Sequence, residues 1–420
     1  MVFFACSLFS GCEFVRGGGD QQIPATSSSL KGTVLTGADL LVQSDFEAVR
    51  GKNVGLIVNH TSRVGKTHLI DLVSTSPSVN LVALFGPEHG IRGDEDAGAK
   101  IEDGLDDATG VPVYSLYGTN RRPTPEMMQG VDALVFDIQD VGARFYTFIS
   151  TLGLSMQSAA ESGASFYVLD RPNPLGGNEM EGFVLDTTYT SFVGQYPIPI
   201  RHGLTVGELA KMIQGEKWLP GLDSLDLHVI SMQNWTREML WPSTGLAWIP
   251  PSPNLPTFET ALMYPGTCFF EATTASEGRG TDLPFLTVGA PWMDASSVSK
   301  PGFPGLVLVP GQTTPTERPG KSSSPKWKDT LIQSISIGID DASKVRPVST
   351  GLELVGRMVA TSPDSAQKGL INERWLQLLG GTDRLKSMVE SGYSGTQFQD
   401  AWESEIAAFA LQRSAYLMYN

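Results

Sequence analysis

Asn53-Val-Gly-Leu-Ile-Val58 runs straight into Asn59-His60, and three later stretches repeat the design. Leu81-Val-Ala-Leu-Phe85 ends in Gly86-Pro87-Glu88-His89-Gly90, Ala133-Leu-Val-Phe136 in Asp137-Ile138-Gln139-Asp140, and Phe166-Tyr-Val-Leu169 in Asp170-Arg171-Pro172-Asn173. Apolar runs this short, without polar alternation, are the pattern of strands buried on both faces, and the intervals leave room for crossover helices. The expectation is an α/β fold with a parallel sheet. Ligands of such sheets bind outside the carboxyl ends of the strands, where these polar clusters fall.

The chain has 420 residues, more than one hydrophobic core usually serves, so about two domains are expected. Hydrophobic residues at 41% and charged residues at 18% describe a globular composition. A formal net charge of -15 disfavours non-specific binding to nucleic acid or to an anionic membrane surface, and an anionic substrate would need a local basic pocket.

Residues 1–34 read as a leader and flexible tether. Leu8-Phe9-Ser10-Gly11-Cys12 resembles the lipobox at which bacterial lipoproteins are cleaved and acylated, which makes Cys12 the lipidation candidate and the cell envelope the expected location. No Lys or Arg precedes the apolar run, unlike most secretory signal peptides, and an ordinary apolar N-terminus is the alternative. If the leader is removed with Cys6 and Cys12 is acylated, Cys268 is the remaining thiol and no intramolecular disulfide can form.

Residues 35–240 are expected to form a first domain and 241–420 a second that contributes to the cleft. Helices are expected over Ala38–Val49, Pro125–Gly130 and Leu152–Ser162. Thr205-Val-Gly-Glu208 is a capping box opening a helix through Ile213. From Glu216 to Pro265 the sequence turns to Trp and Pro, the mark of a long ordered connection. Pro301–Lys328 reads as an exposed loop, Leu331–Ile339 as a strand and Thr396–Tyr419 as a closing helix.

Gly65-Lys66-Thr67 invites a phosphate-loop reading, but the glycine required five residues earlier is His60. No G-x-G-x-x-G follows the first strand, so neither nucleotide nor dinucleotide cofactor is implied. In Gly86-Pro-Glu-His-Gly90 two glycines and a proline fix a turn that presents Glu88 and His89 at a strand end. Glu88 there suits a general acid, with His89 orienting it, or it forms a structural salt bridge. Asp137 supplies a second carboxylate, as glycoside hydrolysis requires, or caps the next helix. Arg144, Arg171 and Arg201 could gather around a carboxylate, and Asn59, Tyr146, Asn173 and His202 complete the polar set at the strand ends. Glu277 and Arg279, in Ser276-Glu-Gly-Arg-Gly280, add an ionic pair from the second domain. The five histidines are dispersed, without H-E-x-x-H, although His89, His202, Glu88 and Asp137 could converge on zinc. No G-x-S-x-G elbow follows a strand.

Phe85-Gly-Pro-Glu-His-Gly-Ile-Arg-Gly93, Phe136-Asp-Ile-Gln-Asp-Val-Gly-Ala-Arg-Phe-Tyr146, Leu169-Asp-Arg-Pro-Asn-Pro-Leu-Gly-Gly177, Arg201-His-Gly-Leu-Thr205, Pro250-Pro-Ser-Pro-Asn254 and Tyr264-Pro-Gly-Thr-Cys268 together resemble the NamZ-type exo-β-N-acetylmuramidases. Ser276-Glu-Gly-Arg-Gly280 and Gly289-Ala-Pro-Trp292 extend the resemblance over most of the chain from about Leu35. It implies a Rossmann-like catalytic domain with a smaller C-terminal α/β domain. It also implies removal of N-acetylmuramic acid from the non-reducing end of peptidoglycan fragments, without cofactor or metal, and Glu88 as the catalytic glutamate. In that setting Asp137 would support the transition state, His89 and His202 would orient Glu88 or the sugar, and the three arginines would hold the lactyl carboxylate. The competing expectations are a non-catalytic lipoprotein that binds muropeptides and a metal-dependent hydrolase.

Overall fold

The computed structural model describes residues 32–87, 90–92, 104–118, 120–367 and 369–420. The strands of its larger sheet are β1 (Asn53–Val58), β2 (Asn80–Gly86), β3 (Gly104–Leu105), β4 (Pro112–Ser115), β5 (Ala133–Asp137), β6 (Ser165–Leu169) and β7 (Leu227–Ile230). Their order is β3-β4-β2-β1-β5-β6-β7, and all neighbours are parallel except β3 against β4. Without the antiparallel edge strand, the six parallel strands follow the doubly wound Rossmann order. The chain moves outward from β1 to β2 and β4, then returns to the other side of β1 to place β5. The point where the order reverses therefore lies between the carboxyl ends of β1 and β5.

The central strands are closed on both faces, as their unalternating sequences require: every residue of β5 is buried, and five of the six in β1. The edge strand β7 is half exposed and falls within the stretch expected to be connection. Its alternation is too short to stand out beside the Trp and Pro around it.

The first helix spans Gly37–Gln43 rather than reaching Val49. Asp45 and Phe46 adopt left-handed backbone (φ 51° and 56°), which ends the helix before a short 3-10 turn over Glu47–Val49. The crossover over Pro125–Gly130 is a set of tight turns and no α-helix. The helix after β5 starts earlier than expected, covering Phe148–Ser162, and ends on Gly163 at φ 72°. Thr205 and Glu208 form the expected capping box at the start of Val206–Gly215.

Beyond the Trp-rich stretch, a three-stranded antiparallel sheet places Ile332–Ile339 between Thr287–Ala290 and Leu306–Thr313. The last of these lies inside the stretch expected as loop. Its residues are mostly exposed, as on an edge, so burial leaves no apolar pattern there to read. Helices Phe258–Thr267, Pro347–Thr361, Glu373–Gly380 and Arg384–Glu390 pack with this sheet around a second core. The closing helix is Gly395–Arg413, followed by a 3-10 turn and an extended tail. Among the described residues no helix is long and apolar enough to cross a membrane.

Candidate active site

The segments after β1 and β5 are stitched together by side chains. Asn59 Oδ1 accepts from the Thr61 amide (2.9 Å) and hydroxyl (2.6 Å). Thr61 Oγ1 in turn accepts from the Gln139 amide at 3.0 Å. Ser62 Oγ accepts from the Asn59 amide and donates to the Asp137 carbonyl. Burial makes each of these groups obligatory: a polar strand end in a closed core must find partners.

Where the two ends part, a cleft of about 250 Å³ opens between Thr36, Asp39, Thr61, Arg63, Gln139 and Arg171 on one side and Trp241, Gly245, Leu246, Ala247 and Ile249 on the other. It sits at the reversal point, where the strand pattern places ligand binding. The Trp- and Pro-rich stretch is thus more than a connection, since it forms one wall. His60 helps to hold that wall, its Nε2 lying 2.7 Å from the Pro250 carbonyl oxygen. Trp241 packs edge-on against Trp248 at 5.1 Å between ring centres.

Two guanidinium groups enter the lining. Arg171 is fixed by Asp137 in a bidentate pair, Nε to Oδ1 at 2.6 Å and Nη2 to Oδ2 at 2.9 Å, with both side chains buried. Arg63 donates from Nε to the His60 carbonyl (3.0 Å) and from Nη1 to the Lys66 carbonyl (3.1 Å). Two buried polar atoms of the lining have no hydrogen-bond partner, Gln139 Oε1 and Trp241 Nε1. Gln139 Nε2 is engaged, donating to the carbonyls of Asp140 and Pro172. An acceptor, a donor, two cations and an indole make a lining suited to a polar, partly anionic ligand with an apolar face.

The expected site residues divide. Asn59, Asp137 and Arg171 meet at this junction. Glu88, His89 and Cys12 lie outside the described residues. Asp137 is wholly buried with both oxygens on Arg171, so it fixes that cation; it caps no helix. Arg144 is buried and donates to the carbonyls of Phe183, Ile198 and Leu379, a clamp between segments distant in sequence. Burial lowers its pKa to about 9. Arg201 is likewise buried, pairing with Glu181 (3.3 Å) and donating to the Leu175 carbonyl (2.6 Å). Neither is placed to gather with Arg171 around a ligand, because a buried guanidinium is satisfied by the nearest acceptors, here backbone and Glu181. Asn173 is engaged with backbone, accepting from the Leu175 amide in its own turn and donating to the Leu204 carbonyl of a distant segment.

His202 is buried and neutral, its pKa lowered to about 3 chiefly by burial. Its Nδ1 accepts from the Leu204 amide, so the ring proton sits on Nε2, 4.0 Å from Asp140 Oδ2. Burial lifts the Asp140 carboxyl to about 7. Asp140 Oδ1 and His202 Nε2 both lack hydrogen-bond partners.

Glu277 and Arg279 belong to a separate ionic cluster. Arg279 bonds Glu271 (2.9 Å), lies 3.5 Å from Glu277 and sits over the Phe285 ring, while Lys326 reaches Glu277 at 3.2 Å. The Tyr264 ring lies between this cluster and the β5 segment, edge-on to both Phe285 and Tyr146. Among the described residues no group of three His, Cys, Asp or Glu could hold a metal ion; two of the four side chains considered for zinc, Glu88 and His89, are not among them.

Sequence reading missed Arg63, Gln139 and Trp241 as lining residues. The available signal was position: Arg63 and Gln139 each fall a few residues past one of the two strands that flank the reversal point.

The comparisons agree with this architecture. Crystal structures of two DUF1343 family proteins from Bacteroides fragilis NCTC 9343 superimpose with TM-scores of 0.84 and 0.78, at 36% and 34% identity. They cover 92% and 93% of this chain and 99% of each of theirs. A Bacillus subtilis (strain 168) protein, peptidoglycan beta-N-acetylmuramidase NamZ, is 39% identical over 394 residues, 93% of this chain and 92% of that one. The family models for the N-terminal and C-terminal parts of exo-beta-N-acetylmuramidase NamZ match residues 54–259 and 262–419, the sheet with its cleft wall and then the helices and second sheet. With both parts matched in order from residue 54 to residue 419, the chain belongs to the exo-beta-N-acetylmuramidase NamZ family.

Proposed function

We propose that the protein is an exo-acting glycoside hydrolase that releases N-acetylmuramic acid from the non-reducing end of peptidoglycan fragments during cell-wall turnover. What carries the reading is the near full-length kinship with the Bacillus subtilis enzyme. The cleft at the strand reversal supports it, with an indole for a sugar face and cations for an acidic substituent. In this reading residues 35–240 are the catalytic body, and 241–420 the auxiliary body that adds the wall from Trp241. Glu88 is the general acid that protonates the leaving oxygen, and His89 orients it. Asp137 acts one step removed, by fixing Arg171. Cys12 carries the lipid that holds the enzyme at the cell envelope.

The test is incubation with a chromogenic β-glycoside of N-acetylmuramic acid beside its N-acetylglucosamine analogue, with and without EDTA. Release from the muramoyl compound that survives EDTA is the expected result. Loss of release in EDTA would replace the reading with a metal-dependent hydrolase. Binding of N-acetylmuramic acid without release would replace it with a muropeptide-binding lipoprotein. Glu88→Gln is expected to abolish turnover while preserving the fold; substantial remaining activity would remove Glu88 from the role.

A further inference from the structure

The arginines expected to hold an anionic substituent are spent: Arg144 on three carbonyls, Arg201 on Glu181 and a carbonyl, and Arg171 on Asp137. Arg63 differs from all of them. It lines the cleft and is half-buried. The carbonyls of His60 and Lys66 hold its Nε and Nη1 edge, which fixes the plane of the guanidinium without neutralising it. Among the described residues no carboxylate lies within ion-pair distance of it, and its Nη2 has no hydrogen-bond partner. Asp39, the acidic residue of the lining, is turned to its own helix end, where Oδ2 takes the amide and hydroxyl of Thr36, each at 2.7 Å. Arg171 supports the Arg63 backbone, its Nη2 lying 3.3 Å from the Arg63 carbonyl oxygen.

A pre-oriented guanidinium with an unspent edge, on the wall of a cleft, is what charge-assisted recognition of a carboxylate requires. N-acetylmuramic acid differs from N-acetylglucosamine by one lactyl ether, whose carboxylate is its only anionic group. Resting on the function proposed above, we propose that Arg63 reads the lactyl carboxylate and thereby sets the preference for muramoyl over glucosaminyl sugars.

Isothermal titration of the full chain with N-acetylmuramic acid, its methyl ester and N-acetylglucosamine tests the assignment without depending on turnover. The wild type is expected to bind the acid about 10- to 100-fold more tightly than the ester, the range for a hydrogen-bonded charge pair. Arg63→Met should bind the ester as the wild type does and lose the preference for the acid. Arg63→Lys, which keeps the charge but not the planar fork, should retain part of that preference. The proposal is overturned if Arg63→Met keeps the full preference, if it weakens acid and ester equally, or if the wild type does not distinguish them. Should Arg63→Met not fold, the wild-type acid-to-ester ratio against that of Arg63→Lys decides. Failure to cleave the chromogenic glycoside, with discrimination still vested in Arg63, would count against the hydrolase and leave the recognition site standing.

Discussion

Asp137 and Arg171 form a buried ion pair at the edge of the cleft, which Arg171 helps to line. Removing one partner strands the other charge in a closed interior, which typically costs about 3–5 kcal/mol, whereas removing both is far milder. Asp137→Asn is therefore expected to lose stability of that order, and Asp137→Asn/Arg171→Met less than the sum of the singles. Urea unfolding of the three variants measures this directly; additive losses would show that the pair is not coupled. Asp140 poses a different problem, since its carboxyl titrates near 7 in the fold because of burial, against about 3.9 for a free aspartate. The folded state then holds a proton that the unfolded chain has released. Its contribution to stability is largest below about pH 4, declines as pH rises toward 7, and is constant beyond. Asp140→Asn removes that decline, so the melting temperature of the variant should gain on the wild type between about pH 4 and 7. Parallel curves would show that Asp140 ionises freely in the native protein.

The helices Phe258–Thr267 and Pro347–Thr361 cross where Gly266 meets Gly351, with the backbones themselves in contact. A Cβ on Gly351 would stand within van der Waals overlap of the Gly266 carbonyl, so Gly351→Ala must push two buried helices apart. Overpacking of this kind costs roughly 1–3 kcal/mol, and a lower melting temperature is the expected readout. Nothing in the sequence around either glycine announces the crossing. Elements were legible where one physical cause dominates a local stretch: closed strands such as β1 and β5 from unbroken apolar runs, and the helix at Val206 from its capping box. They were not legible where burial is partial, as in β7 and the exposed strand Leu306–Thr313, or where a left-handed residue stops a helix, as at Asp45. The strand-end location of the cleft followed from the same runs. Of the two arginines that line it, Arg171 was legible from its place after β6 and Arg63 was not, because an arginine spent inside the fold and one that lines a cleft are the same letter until tertiary contacts distinguish them.

The chain end returns to the sheet that begins the fold. Arg413, at the end of the closing helix, donates to the carbonyls of Gly177 and Gly203, on either side of the loop that carries Arg201 and His202. Six residues on, the Tyr419 hydroxyl donates to Asp170 Oδ2 at 2.6 Å and accepts from the Met232 amide at 2.9 Å. Asp170 is buried and also takes the Thr205 hydroxyl and the Gly207 amide, tying the end of β6 to the capped start of the next helix. Arg171 follows Asp170 directly, so the C-terminal tail braces the strand end from which a cleft cation projects. Tyr419→Phe keeps the ring against Trp235 but removes a donor from a buried carboxylate and an acceptor from a buried amide. The cost expected for groups left unsatisfied in this way is about 1–3 kcal/mol. A loosened β6 end should also displace Arg171 relative to Arg63, raising KM for a muramoyl glycoside more than it lowers kcat. Thermal unfolding and steady-state kinetics on the same variant separate the two effects. A stability loss with unchanged KM would confine the tail to holding the fold together, whereas a shift in both would make the last residues of the chain part of how the cleft is shaped.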